Sequence, residues 1–324
     1  MRVGTGVDVF TERLCTGLNA GGIRAEIAWL PRRAEFLPWT VPAPPVPAWV
    51  NIVHVNAWLH RRFIPEDLPV VATMHHCVHD PGMRPYKSAA QALYHRHMVW
   101  PLERWVLHYA DAVTAVSEYT ARQVREQFGI EPIRVIPNGL PTPEQATMER
   151  NERPHAPFRL LYVGSWTRRK GVDLLGPILE RLGTDFELRY TAPPDLRVRL
   201  PGNCRSLGRP DRRQLQRAYS EVDALLFPTR LEGFGQVALE AMAAGLPVIA
   251  TAGSALPEVV VDGVTGILCP QDAIAAFADA ARRLAGNPQL WQSMSSAALV
   301  RARQPLFSID SMVASYAEVY AAVR

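Results

Sequence analysis

The chain has 324 residues, of which 48% are hydrophobic and 20% charged, with a formal net charge of +4. That length holds two domains of ordinary size, and the composition is that of a soluble globular protein rather than a disordered or fibrous one. A mild positive charge suits an anionic small molecule and is too small to argue for nucleic acid, while no signal peptide and no apolar run near the ~20 residues of a membrane span is present.

Gly4-Thr5-Gly6 enters a helical pattern at once, with Val7, Phe10, Leu14 and Leu18 at helical spacing and Gly21-Gly22 as the stop. In a doubly wound domain such a turn follows a strand, and there is no room for one here, so either the sequence starts late or the first domain lacks its leading strand. Residues 25–30 read as a strand, and the Pro-rich stretch 31–50 as loop. Strands follow at 51–56 and 69–74, the second ending at His75-His76-Cys77-Val78-His79-Asp80. Residues 88–109 form a long helix or helix pair interrupted at Pro101. A strand at 112–116 leads to Ser117, an N-cap for a helix over 118–127, and 133–136 is the last strand of this half. Pro137-Asn138-Gly139 turns the chain away, and 141–157 is a polar linker.

The second half repeats the alternation. Strand 160–163 is followed by Gly164-Ser165-Trp166-Thr167-Arg168-Arg169-Lys170-Gly171, a helix over 173–182 and a strand over 186–190. After a loop come helix 211–221 and the apolar strand Ala224-Leu225-Leu226-Phe227. Next is Glu232-Gly233-Phe234-Gly235, opening a small-residue helix that carries Glu240, with seven residues between the two glutamates, and then strand 246–250. A short helix at 255–260, a strand at 266–268 and helices over 272–285, 288–302 and 308–322 complete the chain. Strand, glycine turn, helix, strand is a parallel-sheet unit whose loops gather at the carboxyl ends of its strands, where ligands bind. Two such halves make an α/β protein of two domains. Cys15, Cys77, Cys204 and Cys269 lack CxxC spacing and read as buried, reduced thiols of a cytoplasmic protein.

Four blocks of the second half resemble glycosyltransferase family 4, the retaining GT-B enzymes of group 1 type. They are Gly164…Lys170-Gly171; Phe227-Pro228-Thr229-Arg230-Leu231-Glu232-Gly233-Phe234-Gly235; Glu240-Ala241-Met242-Ala243-Ala244-Gly245-Leu246-Pro247-Val248; and Leu256-Pro257-Glu258-Val259-Val260…Gly263…Gly266. Pro137-Asn138-Gly139 extends the likeness into the first half. The resemblance implies two Rossmann-like domains facing across a cleft. Residues 1–140 would bind the acceptor, 141–157 would link, and 158–307 would bind the donor, with helix 308–324 packing back on the first domain. It implies a nucleotide-diphosphate sugar as donor substrate, a glycan, lipid-linked or small-molecule acceptor, no cofactor and no metal.

The residue types suit that chemistry. Amides of Gly233, Phe234 and Gly235 at a helix start favour a diphosphate. Lys170, the only lysine besides Lys87 in an arginine-rich chain, offers it a compact charge. By resemblance Glu232 faces the sugar and Glu240 the ribose; the competing reading is two solvated surface carboxylates. Relatives carry Arg where this chain has Ser165, so Arg168 or Arg169 would substitute, with Ser165 bonding a phosphate oxygen. Gly4 belongs to the turn that would approach the donor from the first domain. By resemblance His75 faces the reaction centre, against a core histidine or a metal ligand with His76, His79 and Asp80; His75 and His79 would share a face only on a helix, and they follow a strand. Ser117, Asn138 and Gly139 match family positions at the cleft, or are a cap and a turn. Segment 86–109, with Lys87, Arg96, Arg104, Trp100 and Trp105, can lie peripherally on the inner face of a membrane, or is an ordinary packed helix. Two rivals to a transferase are a non-catalytic nucleotide-sugar-binding protein and a nucleotide-sugar epimerase, the second disfavoured by the glutamate spacing.

Overall fold

The computed structural model describes residues 6–141, 153–192 and 199–324. Gly4 and most of the expected linker lie outside the described residues. The chain divides into two compact units, Met1–Thr142 with Pro305–Arg324, and Pro143–Gln304.

In the first unit, α1 (Gly6–Ala20) precedes β1 (Val53–Asn56) and β2 (Val70–Met74). Then come α2 (Ala89–Tyr94), α3 (Trp100–Tyr109), β3 (Ala112–Ala115), α4 (Glu118–Phe128) and β4 (Ile133–Val135). The four strands are parallel and stand in chain order, β1-β2-β3-β4, with Val71 opposite Ala112 and Val113 opposite Ile133. Every residue of β2 is buried, as a central strand covered on both faces requires. Ser117 caps α4 by accepting a hydrogen bond from the Thr120 amide at 3.0 Å.

Two local expectations fail for physical reasons. Residues 25–30 form no strand, because a strand is a pairing and none of the described strands ladders with them. The Asn19 side chain instead holds Ala25, accepting from its amide and donating to its carbonyl. The helix over 88–109 is not broken at Pro101. A π-helical stretch, His95–Val99, joins α2 to α3, and the Trp100 amide donates five residues back to His95. Widening the turn ahead of Pro101 absorbs the hydrogen bond that the proline cannot donate.

The C-terminal helix, Ile309–Ala322, belongs to this first unit. Met312, Tyr316 and Val319 pack with Phe10, Leu14 and Leu18 of α1 and with Val71 and Ile136. Its start is docked backbone to backbone: Leu140 donates to Phe307 and Ile309 donates to Leu140, at 2.8 and 3.0 Å. Gly139 permits this approach, since a Cβ there would lie 2.6 Å from the Ile309 Cα and 2.7 Å from the Ser308 carbonyl oxygen.

The second unit runs β5 (Phe158–Tyr162), α5 (Val172–Leu182), β6 (Phe186–Tyr190), β7 (Cys204–Ser206), α6 (Arg212–Ser220) and β8 (Ala224–Phe227). It continues with α7 (Gln236–Ala243), β9 (Val248–Thr251), α8 (Leu256–Val259), β10 (Gly266–Cys269), α9 (Ile274–Ala285) and α10 (Pro288–Ala302). β7 was not expected; three residues with one apolar side chain carry no readable period. All pairs are parallel, in the order β10-β9-β8-β5-β6-β7. The winding therefore reverses between β5 and β8, the switch point at which open α/β sheets bind ligands beyond their carboxyl ends. Two of the four cysteines, Cys77 and Cys269, are buried, while Cys15 and Cys204 are half-buried, and all four are free.

The contact at Gly139 sets a test. Gly139→Ala should cost about 3 kcal/mol or more in urea unfolding, because backbone must move. Gly22→Ala, at φ 81° with nothing within 4 Å of the added carbon, should cost only about 1–2 kcal/mol.

Candidate active site

The two loops that leave β5 and β8 meet at the switch point. The first, 163–171, is pinned by the Tyr162 hydroxyl, which donates to the carbonyls of Ser165 and Lys170 at 3.1 and 3.4 Å. Gly171, at φ 73°, lies against the second loop so closely that a Cβ would stand 2.1 Å from the Pro228 carbonyl oxygen. The loops are further zipped by the Arg230 amide donating to Arg169 O at 2.9 Å and the Arg169 guanidinium donating to Leu231 O at 2.7 Å.

This places the Lys170 ammonium directly on the Glu232 carboxylate. Glu232 is buried and also accepts from the Thr229 hydroxyl at 2.9 Å, while its own amide donates to Ser254 Oγ at 3.0 Å. The Lys170 ammonium lies 5.7 Å from the centre of the Phe227 ring. Burial alone would raise the Glu232 carboxyl, but Lys170, then Arg169 and Thr229, outweigh it and hold it below its ordinary value. Burial depresses the Lys170 ammonium; Glu232 opposes that drop and Arg169 adds to it. Arg169 is therefore the second cation of this pair's surroundings, whereas the Arg168 side chain is 74% exposed. Removing one member of such a buried pair strands the other charge, at a cost of about 3–5 kcal/mol.

Beyond Glu232, Gly233, Phe234 and Gly235 are buried and lead into α7, with Gly235 at φ 99° as its N-cap. The N-terminus of that helix carries the positive end of its dipole. Glu240 lies in the body of α7, half-buried, and accepts from the Gln236 amide group at 3.2 Å. Ser165 is exposed, and its carbonyl anchors the loop. Lys170, Arg169 and Glu232 are thus brought together. Thr229 and Ser254 were not singled out beforehand; Ser254, a non-glycine at φ 50°, carries no signal in sequence.

In the first unit, His75 follows β2 directly, and its Nε2 lies 3.0 Å from Asn56 Oδ1 at the end of β1. Phe10 packs edge-on at 4.5 Å. A buried polar chain runs beside it: His54 bonds Tyr320 OH at 2.7 Å and Thr73 Oγ1 at 2.6 Å, and Thr73 in turn bonds Thr114 and Tyr316. Desolvation, and secondarily His54, push the His75 imidazole down to about 3, and desolvation pushes His54 down to about 4. His79 pairs instead with the buried Glu103 at 2.9 Å, and among the described residues no group of three His, Cys, Asp or Glu is placed to hold a metal. Within 86–109, Trp100 and Trp105 pack against the core, and the large apolar side chains that face outward are Leu93, Met98 and Tyr109. Among the described residues no helix is long and apolar enough to cross a membrane.

A family model described as Glycosyltransferase Family 4 matches residues 7–144, and one described as Glycosyl transferases group 1 matches 157–287. A D-inositol 3-phosphate glycosyltransferase of Xylanimonas cellulosilytica is 30% identical over 311 residues, covering 84% of this chain and 72% of that protein. A glycogen synthase of Mycobacterium tuberculosis is 28% identical over 294 residues, covering 85% and 69%. Among solved structures, sucrose-phosphate synthase from Thermosynechococcus elongatus matches with a TM-score of 0.75 at 22% identity, over 98% of this chain and 93% of that one. HepE from Anabaena, solved with UDP-glucose, matches with a TM-score of 0.68 at 17% identity, over 99% and 98%. At these identities the structures speak for the fold.

The neutral histidines make stability depend on acid. His54 and His75 bind protons in the unfolded chain below its ordinary histidine range and resist them when folded, so stability is full above that range. It falls as pH drops toward about 4 for His54 and about 3 for His75. Urea titrations across this window should show the slope, and His54→Gln should flatten it.

Proposed function

Since the chain belongs to the group 1 glycosyltransferases, within Glycosyltransferase Family 4, we propose that it moves a sugar from a nucleotide-diphosphate sugar to a sugar or lipid-linked acceptor with retention at the anomeric carbon. The observation that carries this reading is the buried Lys170–Glu232 pair on the two switch-point loops, beside the N-terminus of α7. A neighbour of the same fold solved with UDP-glucose supports the donor class. The donor belongs to the second unit and the acceptor to the first.

In this reading the diphosphate settles on the Lys170 ammonium, Arg169 and the amides of Gly233–Gly235, with the Ser165 hydroxyl on a phosphate oxygen. Lys170 then shares its hydrogen bonds with phosphate, and Glu232 turns acceptor capacity toward a sugar hydroxyl. Glu240 receives the ribose hydroxyls. The bond from anomeric carbon to phosphate oxygen breaks as the acceptor oxygen attacks from the same face, and the departing phosphate takes the acceptor's proton. Negative charge on that phosphate grows along the path, so fixed donors aimed at it favour the transition state over the ground state. His75, neutral in the folded protein, hydrogen-bonds a sugar hydroxyl without bringing charge. Peripheral contact of 86–109 with an anionic membrane, through Leu93, Met98, Arg96 and Arg104, belongs to the same reading; all four side chains are exposed.

Purified protein would be given a panel of nucleotide sugars, with donor hydrolysis and transfer to acceptors followed. Lys170→Ala should lower kcat on the order of 10²–10³-fold. Adding Glu232→Gln to it should recover stability, by removing the stranded carboxylate, without recovering turnover. Unchanged turnover in Lys170→Ala would sink the assignment.

A further inference from the structure

Arg230 stands two residues before Glu232 in a glycine-rich loop, and by residue type it reads as another diphosphate cation. Its surroundings argue otherwise. The side chain is 5% exposed. Nη1 and Nη2 donate to the two carboxylate oxygens of Asp173 at 2.7 and 2.9 Å, and Nε donates to Asp272 at 2.6 Å. Nη1 also donates to the carbonyl of Arg168. One guanidinium thus meets two carboxylates, so its charge is spent locally and little of it is offered to an anion. What it joins is three pieces of chain: the 168–170 turn, the first turn of α5 through Asp173, and the loop before α9 through Asp272, itself at φ 63°.

The geometry points to Arg230 as a positioning residue: with Asp173 and Asp272 it braces the turn that carries Lys170, and so sets where the ammonium stands relative to Glu232 and an arriving diphosphate. The inference rests on the donor reading above and adds a residue to it. The brace works through the planar fork. Lysine keeps the charge but cannot satisfy three partners in a plane. The turn has its own backbone ties to the 228–232 loop, through Arg169 and Gly171, so losing the brace should loosen Lys170 without unfolding the unit. A misplacement of about 1 Å at such a site costs on the order of 10²-fold in function.

Two readouts test this on the full chain, at a temperature where circular dichroism shows each variant folded. The first is UDP affinity by calorimetry. The second is the rate of acetylation of Lys170 by N-hydroxysuccinimidyl acetate, read by mass spectrometry against Lys87, the chain's only other lysine and one that lies in the other unit. Arg230→Gln and Arg230→Lys should each weaken UDP binding by about 10-fold or more, and should raise acetylation of Lys170 relative to Lys87. Asp173→Asn should move both readouts the same way by less. The double variant Asp173→Asn with Arg230→Gln should be no worse than Arg230→Gln alone, since the two act through one contact. Should Arg230→Gln fail to fold, Asp173→Asn, at the half-buried rim of the brace, decides. A lower melting temperature with both readouts unchanged would overturn the inference and leave Arg230 purely structural. If the unaltered protein binds neither UDP nor a nucleotide sugar, the donor reading falls, and the acetylation ratio alone decides the brace.

Discussion

A parallel sheet that winds outward in both directions from one pair of strands has one place where two loops leave side by side with no crossover helix between them. In this chain that place lies beyond β5 and β8, and the Lys170–Glu232 pair stands on the two loops that leave there. The strands fix the spacing of the loops, Gly171 lets their backbones touch, and the contact puts an ammonium against a carboxylate. Each step depends on the one before. Without the reversal, Lys170 and Glu232, 62 residues apart in sequence, would have no reason to meet.

Buried ion pairs are weak stabilisers, because taking two charges from water costs about as much as their attraction returns. The Lys170–Glu232 pair is therefore no argument for stability; each charge favours the ionised form of the other inside the protein. Arg230 differs: its guanidinium meets two carboxylates where Lys170 meets one. Residue type does not separate these two cations of one loop pair; their partners do.

How much could be read in advance follows from how local each feature is. The β8–turn–α7–β9 unit was legible because an apolar run, a glycine turn and a small-residue helix are consecutive. The cap at Ser117 was legible for the same reason. Lys170 and Glu232 stood out by position within recurring blocks. Residues 25–30 misled because a strand-like run becomes a strand only when a neighbour exists to pair with. Pro101 misled because the π-helical turn before it removed the need for its missing donor. The partners of Arg230 were invisible: Asp173 and Asp272 lie 57 and 42 residues away, and nothing in either neighbourhood marks them. The same holds for Asn56 beside His75, and for the Thr73–Thr114–Tyr316 chain, whose members come from three distant segments.

The docking of the C-terminal helix against Gly139 has a consequence for how the protein is made. Residues 6–141 leave the ribosome ahead of the second unit, yet the Thr73 and Thr114 hydroxyls inside them wait for Tyr316, and His54 waits for Tyr320. Between those two events the whole second unit must be synthesised. The first unit is thus begun before the second and completed after it. Until then Phe10, Leu14, Leu18, Val71 and Ile136 lack the Met312, Tyr316 and Val319 side chains that they pack with in the folded chain. Apolar surface left uncovered in this way is the kind that makes partly folded chains prone to aggregate.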